Sequence, residues 1–260
     1  MKYFEIFFLQ FKRAFLIQWE YKTNFLFFFL MQSLYFATKL AVLFVIFSYV
    51  PDIIGLTFYD LVMYTLIADV SGRLVHGSGL WIDDEVIKGN LNCLLIRPVN
   101  ELFLMFVPNI INLLFVVTDL IIFVILICIF PVQISVLSVC LAVITFLISF
   151  PLTLIPLLII RSFSFWVGNI FAIESAYKSV GYSFQNYPIK ILSKVFFMVF
   201  VAITPMGYLH WYLTLVILVG KVSYSWMLWM WLLIIVLDVF MWFVFRFVYK
   251  RGLRRYEGFA

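Results

Sequence analysis

Three ionisable residues, Lys39, Asp119 and Asp238, each stand near the middle of a long apolar run. A charge at that depth in hydrocarbon is costly unless it is paired or wetted. Two kinds of chemistry would justify the placement. The three could form a relay that moves protons or a charged cargo. Alternatively, Lys39 could pair with Asp119 or with Asp238 across helices and fix the bundle, and this is the preferred expectation. Asp69 and Arg73 lie one helical turn apart and read as a local neutralising pair.

Other chemistries lack their residues. Gly220-Lys221 is followed by Val222 and has Leu215 where the first glycine of a phosphate-binding loop belongs. The two histidines, His76 and His210, are expected near opposite membrane faces, which argues against a His-based metal pair. Cys93, Cys128 and Cys140 show no C-x-x-C spacing, so neither a disulfide framework nor a cysteine metal site is expected. There is no H-E-x-x-H and no G-x-S-x-G elbow. The chain is therefore expected to hold no cofactor and to hydrolyse nothing itself.

The elements that position these residues follow from composition. The chain has 260 residues, 66% hydrophobic and 12% charged. A soluble domain carries roughly 25% charged residues, so most of this surface must face lipid. A crossing helix needs about 20 apolar residues. Segments 25–50, 102–130, 132–160, 189–212 and 223–247 meet that length plainly. A sixth, 56–75, is weaker because it contains Asp60, Asp69 and Arg73. Pro151 and Pro156 should bend the end of the fourth span, since each removes a ladder N–H.

The basic residues decide whether the weak segment counts. With six spans and the N-terminus inside, only Lys221 of the 18 Lys and Arg falls in an outer loop, and only Lys39 lies deep within a span. Five spans would put "KRGLRR" outside, against the positive-inside rule. The expectation is an all-α integral membrane protein of the cell membrane, one transmembrane domain over 1–260, with both termini cytoplasmic. The net charge of +5 follows from this placement and gives no sign of nucleic-acid binding. The first 22 residues are broken by Glu5, Lys12, Arg13 and Glu20, unlike a secretory signal. Phe4, Phe7, Phe8, Phe11 and Phe15 fall on one face with the charges largely opposite, the pattern of a helix lying in the membrane interface.

One polar island, "WIDDEVIKGNLNCLLIRPVN" at 81–100, belongs to the loop 76–101 on the cytosolic side. Asp83, Asp84 and Glu85 favour a helix start through the helix dipole, and Gly89 can supply the left-handed residue that ends it. Val86, Ile87, Leu91, Leu94 and Leu95 can pack on the bundle or on a partner.

"IKGNLNCLLIRPVN" resembles an inner-loop signature of ABC-2 type transporter permeases. "SFWVGN", "NYPIKIL" and "ITPMGYL", in that order, resemble the same family's fourth-to-fifth span region, and "RGLRRYEGFA" resembles its closing basic-aromatic segment. The resemblance runs along nearly the whole chain, departing only at the final residues. It implies a six-span permease subunit that pairs with a second permease, identical or related. Two copies of a separate subunit would bind ATP with magnesium and hydrolyse it. The island would then be the coupling helix, with Asp83, Asp84, Glu85, Val86, Ile87, Lys88 and Gly89 at the ATPase contact. The implied cargo of such exporters is a drug, lipid, glycan or peptide. The alternative, an ion-coupled secondary carrier, would use Lys39, Asp119 and Asp238, and predicts repeated broken helices in the two halves; no clear repeat is seen. A membrane-embedded lipid transferase would need clustered His, Asp or Ser at one face, which the chain lacks.

Overall fold

The structure, a computed structural model, describes residues 2–50, 55–77, 80–109, 116–129, 135–186 and 210–256. The described chain is helical nearly throughout. Helix α1 (Lys2–Glu20) is joined through Tyr21 to α2 (Lys22–Tyr49). Then come α3 (Phe58–Gly77), the short helices α4 (Ile82–Ile87), α5 (Leu91–Leu95) and α6 (Glu101–Phe106), and a 3-10 turn, Val107–Asn109. Helices α7 (Val116–Ile129), α8 (Val136–Ser149), α9 (Pro151–Ser162), α10 (Ser164–Val167) and α11 (Phe171–Asn186) follow. Beyond the described gap lie α12 (Leu213–Leu218) and α13 (Tyr224–Arg255).

Among the described residues, three stretches are long and apolar enough to cross a membrane: Lys22–Tyr49, Val136–Val167 and Tyr224–Arg255. They cover the first, fourth and sixth expected spans. The third is described in two pieces, α6 with its 3-10 turn and α7; the fifth, 189–212, lies almost wholly outside the described residues. Within the fourth, the helix ladder is interrupted at Phe150, directly before Pro151, and Pro156 sits inside α9. Both prolines lack the N–H that an interior helical position donates. Ser135 starts α8 by accepting a hydrogen bond from Leu137 N at 3.2 Å.

Helix α3 is the most enclosed of the long helices. Residues from Asp60 to Val70 are buried but for the last, which is half-buried. Its modest hydropathy follows from this position. Neighbouring helices rather than lipid surround it, so its charges can meet partners. Lys221 Nζ lies 2.6 Å from Asp60 Oδ2. Lys221 is placed by a tight stop to α12. Gly220 adopts φ +72°, its N–H bonds Ile217 O at 3.0 Å, and the Lys221 N–H bonds Val216 O at 3.0 Å. These two bonds make a Schellman motif.

The buried apolar residues form two clusters. One joins α2, α3, α8, α12 and α13, with Val62, Tyr64, Leu66 and Ile234 at its centre. The other joins α4 to α6 with α9, α10 and α13, through Ile82, Val86, Leu91, Leu158, Phe165 and Phe245. Helix α13 spans both, at about 48 Å long from its 32 residues. Near its end Gly252 lies flat against the Phe165 ring, so close that a Cβ there would overlap it.

Helix α1 touches the rest along a narrow stripe, with Ala14 and Ile6 packed against Val107. Its five expected face phenylalanines, Phe4, Phe7, Phe8, Phe11 and Phe15, all point away from the protein.

Candidate functional site

The island at 81–100 folds as two short helices separated by a turn at 88–90. Helix α4 begins with three acids in its first turn, Asp83, Asp84 and Glu85, where the N-terminal partial positive charge favours them. Asp84 also takes the Lys88 ammonium one turn later, at 3.2 Å. Gly89 ends α4 at φ +70° and donates its N–H to Val86 O at 3.2 Å. A side chain at that φ would strain the backbone. Helix α5 then runs to Leu95, and the Arg97-Pro98-Val99-Asn100 segment restarts the chain. Asn100 Oδ1 accepts from Phe103 N at 3.2 Å and caps α6.

The two helices have distinct faces. Ile82, Val86 and Leu91 are buried in the second apolar cluster. Ile87, Lys88, Asn92, Leu95, Ile96 and Arg97 are exposed, Ile96 at 83%. The seven residues expected at a partner contact therefore divide. Val86 holds the helix to the bundle, Ile87 and Lys88 face out, and Asp83 is turned inward.

What Asp83 turns towards is Arg161, in the last turn of α9. The guanidinium is 0% exposed. It donates from Nη1 to Leu80 O at 2.8 Å, from Nη2 to Glu174 Oε1 at 2.8 Å and from Nε to the same oxygen at 3.2 Å. Asp83 Oδ1 stands 3.8 Å from Nε. The Trp81 ring covers the group, its centre 4.1 Å from Cζ, a cation–π arrangement. Lys178 completes the cluster, 2.6 Å from Glu174 Oε1 and 5.1 Å from the Trp81 ring centre. Two cations and two carboxylates thus meet beneath α4.

The two acids respond in opposite directions. Burial pushes the Asp83 carboxyl above its ordinary value, with repulsion from Glu174 adding to it and attraction from Arg161 only partly offsetting it. Burial also pushes Glu174 up, but hydrogen bonds from Lys178 and Arg161 outweigh it and hold its carboxyl below the ordinary value. Glu174 is thus the fixed partner of Arg161 and Asp83 the loose one. Asp83 Oδ1 has no hydrogen bond among the described residues.

The mid-chain charges do not converge on one relay, and Lys39 does not pair as expected with Asp119 or Asp238. Lys39 Nζ bonds both carboxylate oxygens of Asp69, at 2.9 and 3.1 Å. Arg73 meets Asp119 instead, and Gln32 Nε2 donates to the other oxygen of Asp119 at 3.1 Å. Asp69 and Arg73, though one turn apart on α3, each reach a different helix. The reason is the enclosure of α3: on a buried helix both side chains find a partner on a neighbour. Asp238 lies on the α13 stripe between the two apolar clusters, half-buried, and its Oδ1 has no hydrogen bond among the described residues.

Arg161, Glu174, Lys178 and Trp81 carry no sequence motif. Arg161 reads as one more basic residue at an inner membrane edge, and Glu174 lies 13 positions on, past the Gly168 turn. The only local sign is a single Arg closing a strongly apolar run.

Helical nearly throughout the described residues and apolar on its outer faces, the molecule is a membrane-embedded helical protein. A family model described as "ABC-2 family transporter protein" matches residues 33–260, and the chain belongs to that family. Membership makes it a transmembrane transporter component and implies partnership with ATP-binding subunits. No curated protein and no solved structure matches it.

Proposed function

We propose that the chain is the permease subunit of an ATP-driven ABC-2 exporter. Two copies of a separate subunit, holding ATP and magnesium, supply the hydrolysis. A second permease, identical or related, faces it across the translocation path. The observation that carries the reading is the two-faced α4–α5 pair, rooted by Val86 and Leu91 yet presenting Ile87, Leu95 and Ile96 outward. Exposed apolar residues beside polar ones suit a protein contact. In this reading the pair and the termini face the cytoplasm, six spans cross the cell membrane, and α1 lies in its inner interface.

The cargo is read as amphipathic. An apolar cavity of about 300 Å³ opens between α3, α7, α8 and α12, lined by Leu66, Val70, Leu120, Val143 and Phe146 among others. Its apolar lining would accept an acyl chain or an aromatic body.

The test is purification of the native complex in mild detergent, followed by identification and counting of its subunits. An ATP-binding subunit at one copy per permease is expected, and its loss on changing Ile87, Leu95 and Ile96 together to Asp. An intact complex containing no ATP-binding subunit would overturn the reading. Single cysteines fix the orientation: Lys221→Cys should label from outside, and Lys88→Cys and Arg254→Cys only after permeabilisation.

A further inference from the structure

We infer that Arg161 is the positioning residue that passes a displacement of α4 into the fourth span. The inference rests on the permease reading above and adds the internal route, which that reading leaves open.

A guanidinium removed entirely from water is expensive, and an apolar side chain of similar volume often serves stability as well. Arg161 therefore makes little sense as mere ballast for the α9 end. Its contacts are better explained by the need to hold three elements at once. Nη1 holds the chain entering α4 through Leu80 O, Nε faces Asp83 on α4 itself, and Nη2 with Nε holds Glu174 on α11. A planar fork with five donors can do this, whereas a lysine ammonium, a single point, cannot.

The place of the hub matters equally. Arg161 belongs to the apolar stretch Val136–Val167, which is long enough to cross a membrane. Leu80 and Asp83 begin the helix whose outer face is the proposed ATPase contact. Glu174 begins the helix leading toward residues 187–209. A push on α4 thus arrives at one buried charge, and that charge is rooted in a membrane-crossing helix.

The two acids are held unequally. Glu174 is clamped by Arg161 and Lys178, both within 2.8 Å. Asp83, at 3.8 Å, lies just beyond hydrogen-bond reach. The single Nε–H already goes to Glu174, so a sub-ångström approach of α4 would let Asp83 share it, and the hub has a second arrangement available on the α4 side.

The test uses the whole complex with its co-purifying ATP-binding subunits. Hydrogen–deuterium exchange is compared with and without ATP plus vanadate, for peptides covering 80–97, 151–167 and 171–186. In the wild type all three regions should respond to nucleotide. In Arg161→Lys, which keeps the charge, 80–97 should still respond and the other two should lose the response. In Glu174→Gln, the response at 171–186 should be lost and that at 151–167 retained. A residue with a purely structural part would change basal protection without separating these responses. An unchanged response of 151–167 in Arg161→Lys overturns the inference, as does a wild type in which 80–97 responds and 151–167 does not. If Arg161→Lys fails to assemble, Glu174→Gln decides: an undiminished response at 171–186 overturns the route. A wild-type complex without any ATP-binding subunit refutes the permease reading itself, and that outcome is seen at purification, before exchange is measured.

Discussion

The charges along α3 and the charge of Arg161 are all at least half-buried, yet they are held in different ways. On α3 each charge has its own opposite: Asp60 with Lys221, Asp69 with Lys39, Arg73 with Asp119. The three pairs span about 20 Å of one helix and tie it to three different parts of the chain. At Arg161 one cation serves a backbone carbonyl and two carboxylates, one of them loosely. One-to-one pairs lock a position. A shared partner leaves an alternative arrangement of similar energy nearby. The first suits a fixed frame around α3, the second a joint between the loop helices and the fourth span.

Removing one member of a lock should have the largest effect. Arg73→Met leaves Asp119, whose side chain is 2% exposed, without its cation. Loss of one buried partner costs about 3–5 kcal/mol, whereas apolar replacement of both can be nearly neutral. Thermal unfolding in detergent should show that loss, and Arg73→Met with Asp119→Leu should recover most of it. Lys39→Met with Asp119→Leu should not, since each belongs to a different pair.

The joint should behave otherwise. Arg161→Met is expected to cost about 3 kcal/mol or more, and adding Glu174→Leu should restore less than half, because Asp83, Leu80 O and Lys178 remain unmatched. Full recovery would make Arg161 an ordinary pair and erase the distinction. A third change lies outside both regions: Gly252→Ala adds a methyl against Phe165 and should cost about 1–3 kcal/mol by overpacking. Asn100→Ala removes the α6 cap and should cost about 1 kcal/mol.

Within the joint, pH should separate the two acids by a smaller effect. Asp83 is raised by burial, so its ionised form works against folding above its folded value, and that penalty disappears as pH falls through it. Glu174 is lowered, so its contribution is present above the ordinary carboxylate value of about 4 and is lost only as pH falls further. Asp83→Asn should therefore match or slightly exceed the wild type near neutrality, and unfolding measured against pH should show the two converge on mild acidification. Glu174→Gln should be the less stable variant across that range.

Much of this was readable from residue order. The apolar runs at 25–50 and 223–247 match α2 and α13 closely, although α13 continues eight residues further because Arg and Lys are good helix formers once past the apolar run. Gly89 and the Arg97–Asn100 stop behaved as local chemistry requires. The partners of Lys39 and Asp119 were not readable. Depth along a span can be counted from sequence, but which helix stands beside it cannot, and α3 looked least like a span because it is the one wrapped by others. Arg161 was hidden for the same reason. Its partners come from positions 80, 81, 83 and 174, which meet only through the fold.

The bare backbone at Gly252 has a mechanical consequence. Two helices that interlock through side chains resist both approach and sliding, because ridges sit in grooves. Gly252 opens a slot for the Phe165 ring, with the rings of Tyr249 and Tyr256 beside it. A ring held in such a slot resists sliding as well as approach, because the flanking rings stand in its way. The end of α13 is thus a socket: through Phe165, α10 and with it the base of α4 are keyed to the longest of the described helices.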